Sequence, residues 1–323
     1  MGDVVLALPV AGMLKKAFPG VRIGLLASQY TKPIAAACEH IDEFIDIDDF
    51  LKNEVLVDGK PWGAILHLVT NAQVANRAKE LKIPVRVGTM SRFHHWFNCN
   101  RLIWLSRRTA GLHEAQSNLK LLKPFGITKT ISFDEISHLY GLRRLEPLSD
   151  EFRNLLNTDK FNIILHPKSK GNAREWPIDH FISLINLLDA DRYKIFLSGV
   201  QSEKKDLQKI EGAVKNPVMN MAGRIPLSQF ISFIAAADGM VSNSTGPVHI
   251  AAALGKDTLG IYPSLTHKNP VRWAPIGKKA KAIVFKKDCM ECKDTPQQCS
   301  CISAIQPAQI KAELDRMEKF RKG

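Results

Sequence analysis

Four places in this 323-residue chain hold residue types able to do chemistry. One is Ser242-Asn243-Ser244-Thr245-Gly246-Pro247-Val248-His249, which follows an apolar run ending at Val241 and opens a helix-period segment. Small hydroxylic residues and glycine let backbone N–H groups and a helix N-terminus approach a phosphate. Pro247 suits the first turn of that helix. His249 falls within the first turn, where a histidine more often packs or caps than catalyses. A second place is His166–Pro177, which contains Lys168, Lys170, Gly171 and Arg174. It leaves the end of a buried strand pattern and enters a helix, the edge at which open α/β sheets bind ligands. Its three cations can hold a diphosphate, with Arg174 offering a two-pronged contact. The alternative is an exposed basic loop.

The third place is Asp3. A carboxylate at the start of a helix can be an N-cap that satisfies orphan N–H groups, or a general base facing a cleft; spacing leaves both open. The fourth is Cys289, Cys292, Cys299 and Cys301, four thiols within thirteen residues. They can close a tetrahedral zinc site or remain reduced thiols in a compact loop. Such crowding does not resemble the dispersed disulfide framework of a secreted domain.

The elements needed to position these residues are legible as apolar runs alternating with helix-period segments. Strands are expected at 22–27, 43–47, 64–68, 162–166, 194–198, 218–221, 239–241 and 258–261. Helices are expected at 10–17, 33–39, 72–81, 114–124, 178–188, 203–214, 227–236, 248–254 and 307–320. This β-α-β rhythm implies parallel sheets covered on both faces. It pauses between Thr89 and Leu112, where the sequence is basic and aromatic, with Arg92, Trp96, Arg101, Trp104, Arg107 and Arg108. Residues 127–160 are polar and irregular and read as an interdomain linker. The domains are expected at 1–157 and 158–323, with a strand missing before Asp3, where a Rossmann-like domain would place its first.

Composition is that of an ordinary globular chain, 45% hydrophobic and 24% charged. No apolar run reaches the roughly 18 residues of a membrane span, and the first residues lack a signal-peptide pattern, so a cytoplasmic location is expected. The net charge of +13 favours anionic partners. No helix-turn-helix or RNA-binding signature accompanies it, so nucleic acid is not expected. The Gly-x-Gly-x-x-Gly turn of a nicotinamide dehydrogenase is absent.

Taken together these stretches resemble glycosyltransferase family 9, which contains the ADP-heptose:lipopolysaccharide heptosyltransferases. The chain opens Gly2-Asp3-Val4 with Pro9 and LKKAFPGVRI, similar to the family's opening pattern. His113-Glu114 through Asn118-Leu119 to Phe125-Gly126 resembles its helix before the linker. His166-Pro167 with Arg174-Glu175-Trp176-Pro177 resembles its HPG…K-x-WP loop, Ser198-Gly199 with Glu203 its GG…E strand end, and Arg272-Trp273-Ala274-Pro275 a later RW-x-P element. Asn243–Ala252 resembles its NDSGPMHLAA signature.

The resemblance implies an α/β GT-B fold: two Rossmann-like domains facing a cleft, acceptor in the first and nucleotide sugar in the second. It implies an inverting transfer that requires no metal, with ADP-heptose as donor and a lipopolysaccharide core as acceptor. Asp3 matches the family's base, Arg174 stands where relatives carry a lysine near the phosphates, and Glu203 matches an acidic contact to the ribose. Thr245, Gly246 and His249 match positions near the diphosphate and sugar. Ser244 replaces the signature's aspartate, which touches the donor sugar. Arg92, Arg101, Arg107 and Arg108 fit the acceptor side, pairing with anionic core groups at the inner membrane face; an ordinary surface helix pair is the other reading. The rivals are a sugar-nucleotide epimerase of the same fold and a non-catalytic basic protein that binds anionic glycolipid or nucleic acid.

Overall fold

The structure is a computed structural model that describes residues 1–321 apart from 54, 58, 107–110, 172, 265–269, 287–288 and 295–299. Two compact units divide between Arg144 and Leu145, with Met1 grouped with the first and Gly2 with the second. The division thus lies thirteen residues before the expected 157/158 boundary, inside the polar linker segment. That segment is not wholly irregular. It contains short helices at Phe133–Ser137 and Asp150–Arg153, the former opened by a Ser132/Glu135 capping box.

In the first unit β1 (Gly24–Ala27) pairs in parallel with β2 (Glu43–Asp46). A small antiparallel ladder follows, β3 (Leu56–Val57) with β4 (Lys60–Pro61). Then β5 (Ala64–Leu66), β6 (Val85–Thr89) and β7 (Arg101–Ile103) form a parallel sheet. The expected pause at 89–112 is therefore corrected in part: helix Phe93–Asn98 and β7 continue the β-α-β rhythm. Aromatic and basic side chains hid that helix because they face outward instead of forming an apolar stripe. Helix 114–124 is likewise shorter, Glu114–Leu119, and tightens into a 3₁₀ turn over Lys120–Phe125 ended by Gly126 at φ 81°.

No strand precedes β1 among the described residues; Gly2–Val5 and Leu8–Ala17 are helical. A cavity of about 760 Å³ lies within this unit, lined by β1, β5 and residues of the Leu8–Ala17 helix. Among the described residues β1 pairs only with β2 and β5 only with β6, and both strands line the cavity.

The second unit holds one six-stranded parallel sheet. Its strands are β8 (Phe161–His166), β9 (Tyr193–Leu197), β10 (Val218–Asn220), β11 (Gly239–Asn243), β12 (Asp257–Ile261) and β13 (Ala280–Ile283), in the order β10-β9-β8-β11-β12-β13. Every residue of β8 is buried, as expected for a continuous apolar run with both faces covered. On one face Ile163 and Leu165 join Phe181 and Leu184 of helix Ile178–Leu187 and Ile310 and Leu314 of helix Pro307–Arg321. On the other, Phe196 meets Phe233 of helix Leu227–Ala236 edge to face, ring centroids 5.0 Å apart. Of the strands in this sheet the sequence reading missed β13, and it missed the short helices Pro270–Trp273 and Met290–Asp294 as well.

Candidate functional site

The strand order of the second unit fixes where a ligand fits. Chain order runs outward from β8 through β9 to β10 on one side, and from β11 through β12 to β13 on the other. Strands β8 and β11 are direct neighbours, with Leu165 opposite Val241. At such a reversal two successive crossovers leave in opposite directions, opening a crevice beyond the carboxyl ends of the central strands. The segments that emerge there are 167–177 and 244–249, the two basic or hydroxylic stretches singled out above.

Asn243, the last residue of β11, joins the two. Its Oδ1 accepts from the backbone N–H of Trp176 at 2.9 Å, and its Nδ2 donates to the Pro167 carbonyl at 2.6 Å. Trp176 is fully buried and donates its indole N–H to the Ile305 carbonyl at 2.8 Å. It is a core anchor of the loop's exit. At the entrance His166 Nδ1 lies 2.9 Å from Ser198 Oγ. Burial drives its imidazole down to about 4, against the opposing influence of Glu175 and Ser198.

Between those anchors carboxylates shape the loop. Glu175 Oε1 accepts from Ser169 N–H at 2.7 Å and Ser169 Oγ at 2.9 Å, while Oε2 accepts from Lys168 Nζ at 2.6 Å. Asp206 Oδ2 lies 3.4 Å from the same ammonium. Partial burial disfavours the Lys168 charge, but the Glu175 hydrogen bond and the charges of Glu175 and Asp206 outweigh it and hold the ammonium above the usual lysine range. Lys168 is thus balanced by two carboxylates, whereas Lys170 is exposed at the loop tip. Lys170 adopts φ 51° and Gly171 φ 72°, consecutive left-handed residues that turn the backbone sharply. Lys170 N–H donates to Glu203 Oε1 at 3.1 Å, and Val200 N–H to Glu203 Oε2 at 2.9 Å. Glu203 therefore braces the loop, with acceptor capacity left on each oxygen. Lys168, Lys170, Gly171, Ala173, Glu175, Ser202 and Glu203 line an open cavity of about 720 Å³, with Arg174 half-buried in the same loop.

Across the crevice, helix Gly246–Ala253 begins after Thr245, whose side chain does not cap it. Thr245 Oγ1 instead lies 3.0 Å from Ser242 Oγ and 3.3 Å from the Asn243 carbonyl. The Thr245 side chain thus caps none of the first N–H groups of the helix, and Pro247 contributes none. Ser244 and Gly246 are half-buried beside them, and His249 is buried. Glu175 and Asn243 lay inside the stretches singled out in the sequence but were given no role of their own there. The signal for Asn243 was present, as a polar residue ending an otherwise apolar strand.

The first unit carries the remaining expectations. Asp3 lies inside the first turn of helix Gly2–Val5, not at its cap, and is exposed along the 760 Å³ cavity. Its segment is held by buried Val5, Leu6 and Leu8 and by Asn118 Nδ2, which donates to the Leu6 carbonyl at 3.1 Å. Burial, reinforced by the charge of Asp3, raises the Tyr30 phenol above its ordinary value. His67 lines the same cavity, with Nε2 buried and unpartnered; burial, then the nearby His95 and His94, lowers it to about 4. Arg92 precedes helix Phe93–Asn98 and Arg101 opens β7, both exposed. Around them Phe93, Trp96, Phe97 and Trp104 are 71, 54, 61 and 86% exposed. Arg107, Arg108 and Cys299 lie outside the described residues. Cys289, Cys292 and Cys301 are buried together.

Two Asp-x-Asp pairs, a spacing able to hold a divalent ion, occur in the chain. Neither is built as one. Asp46 caps helix Ile47–Lys52 by accepting from Asp48 N–H at 2.9 Å, and Asp189 accepts from Asp191 N–H at 2.9 Å in the turn before β9. That turn lies at the amino edge of the sheet, opposite the crevice.

A parallel β-α-β sheet whose crevice is lined by cations, hydroxyls and a helix N-terminus has the α/β architecture that offers such groups to an anionic ligand. The model for glycosyltransferase family 9 (heptosyltransferase) matches residues 59–303. The chain belongs to that family and is a glycosyltransferase. It is 24% identical over 298 residues to a putative glycosyltransferase of Haemophilus influenzae, covering 88% of this chain and 86% of the relative. It is 22% identical over 295 residues to lipopolysaccharide heptosyltransferase 3 of Escherichia coli, covering 85% and 83%. Among solved structures, E. coli ADP-heptose lps heptosyltransferase II superposes with a TM-score of 0.77 at 20% identity, covering 100% of this chain and 97% of that one. The GT-B fold follows from that likeness. No helix among the described residues is long and apolar enough to cross a membrane.

Proposed function

We propose that the protein transfers a heptose from ADP-heptose to a lipopolysaccharide core acceptor with inversion at the anomeric carbon. The observation that carries this reading is the crevice at the β8/β11 reversal, where loop 167–177, with Lys170 and Arg174, and the N-terminus of helix Gly246–Ala253 emerge side by side and are joined through Asn243. Leaving-group charge on the departing diphosphate is stabilised there by fixed donors. Glu203 accepts from the ribose with its remaining lone pairs, and Ser244 and His249 lie on the sugar side.

On the acceptor side Asp3 takes the hydroxyl proton as that oxygen attacks. The cavity alongside Asp3, with His67 and Thr70 as polar lining, receives part of the acceptor. The aromatic patch with Arg92 and Arg101 rests on the anionic inner membrane face, its rings at headgroup depth and its guanidinium groups on phosphates. Arg107 and Arg108 extend the basic run in sequence.

The test is a transfer assay with ADP-heptose and isolated core acceptor, run on wild type and Asp3→Asn. Turnover falls on the order of 10²–10⁴-fold when a general base is lost, while ADP affinity stays within twofold. Near-normal turnover removes Asp3 from the chemistry. Conversion of ADP-heptose to an isomeric sugar nucleotide without acceptor would replace transfer with epimerisation.

A further inference from the structure

The cysteine cluster lies outside the crevice, and its geometry assigns it a job of its own. Cys289 precedes the short helix Met290–Asp294, Cys292 lies on that helix, and Cys301 enters from the chain beyond it. The three sulfur atoms lie within 4.8 Å of one another, all in buried residues. Cys292 Sγ and Cys301 Sγ are 3.3 Å apart. Buried cysteines acting as small hydrophobes pack among aliphatic side chains. Among the described residues this buried cluster comprises the three cysteines. A disulfide needs sulfur atoms about 2.05 Å apart. Three thiolates on a tetrahedral ion at about 2.3 Å stand about 3.8 Å from each other, close to the arrangement found. The Cys-x₂-Cys step brings two ligands to one point through the first turn of a helix, and the sequence supplies a further thiol at Cys299.

We propose that Cys289, Cys292 and Cys301 are ligands of one thiophilic divalent ion of the zinc class, in a structural centre that fixes the return of the chain to the second unit's core. Each thiol releases its proton to solvent on ligation, and the ion's charge replaces it. The mechanical consequence runs through the next four residues. Ile302 and Ile305 follow Cys301 directly and are buried in the main core of this unit. The Ile305 carbonyl accepts the Trp176 indole N–H, and Trp176 N–H is held by Asn243. The centre therefore secures the far end of a chain of contacts that terminates at the donor loop, without touching the reacting groups. It is a positioning centre, independent of which sugar is transferred.

The experiment uses the full chain purified under reducing conditions from zinc-supplemented medium. Elemental analysis is expected to give one ion per chain after gel filtration. Cys292→Ser and Cys301→Ser should each bring the content below 0.2 equivalents, on the order of a complete loss of the site, while Cys38→Ser and Cys99→Ser retain it. Amide exchange before and after removal of the ion with a thiol-reactive mercurial provides a second readout that needs no variant to fold. Exchange should rise at least tenfold in peptides covering 300–306 and 174–178 and stay unchanged across β9. Less than 0.1 equivalent of any metal in the wild type, or a Cys292–Cys301 disulfide in the reduced preparation by mass, overturns the site. Loss of the ion with no change at 174–178 overturns the positioning role.

Discussion

Asn243→Leu tests whether one buried amide holds the donor crevice together. The substitution keeps the number and branching of the side-chain heavy atoms but removes both hydrogen bonds. Trp176 N–H and the Pro167 carbonyl are then left buried without their partner. Each orphaned backbone group costs about 1–3 kcal/mol, so the expected loss is about 2–6 kcal/mol. For a unit of this size that lowers Tm by about 4–24 °C. Because the lost bonds join the ends of loop 167–177 to β11, ADP affinity should fall as well, on the order of tenfold. Asn243→Asp gives a sharper reading. It retains the acceptor for Trp176 N–H but sets a carboxylate against the Pro167 oxygen, so its own pKa rises on folding. Its deficit relative to wild type should be largest at pH 7 and shrink as pH falls and the protonated acid donates again. Urea unfolding and ADP titration on wild type and both variants supply the numbers. If Asn243→Leu loses less than about 1 kcal/mol and binds ADP as tightly as wild type, the reasoning about this amide is wrong.

Arg174→Ala should weaken ADP binding by about 1.5–3 kcal/mol, the worth of one charge-assisted contact, measured by calorimetry. His166 and His67 are buried with folded values of about 4 against 6.5 for the free side chain. The unfolded chain binds the extra protons between those values, so stability is complete above pH 6.5 and declines as pH falls toward 4, by about 2 kcal/mol per histidine at pH 5. A flat urea midpoint between pH 7 and pH 5 would contradict both assignments. Phe93→Ser combined with Trp104→Ser should reduce binding to vesicles containing anionic lipid at least fivefold with Tm unchanged, since both side chains are exposed; equal binding removes the patch from the membrane reading.

The second unit was legible because its strands are buried on both faces and its turns are punctuated by glycine, proline and hydroxylic residues. Phe161–His166 reads as a strand from composition alone. The first unit was harder. Arg86 is the second residue of β6, and its guanidinium donates to the carbonyls of Ile83 and Asn98, an arrangement no local pattern announces. Helix Phe93–Asn98 turns its aromatic residues outward, which inverts the usual amphipathic signal. At the site the cations were visible, but the carboxylates that decide how each cation is used were not. Glu175 balances Lys168 across seven residues and Glu203 supports Lys170 across thirty-three, relations that exist only once the loop has closed on β9 and the helix beyond it. The three clustered cysteines were readable as possible ligands from spacing, while their shared burial was not.

The place of β11 beside β8 has a consequence for how the chain is made. During synthesis β8 can pair with β9 as soon as that strand emerges, but its other edge must wait for β11. The Trp176–Asn243 bond spans 67 residues. At the usual 5–20 residues per second, a ribosome needs about 3–13 s to cover that stretch. Throughout that interval β8, whose six residues all end up buried, presents an unpaired apolar edge to whatever is nearby. The crevice at the β8/β11 reversal is thus a late product of translation, and slow codons between 176 and 243 would lengthen the period in which that edge is open.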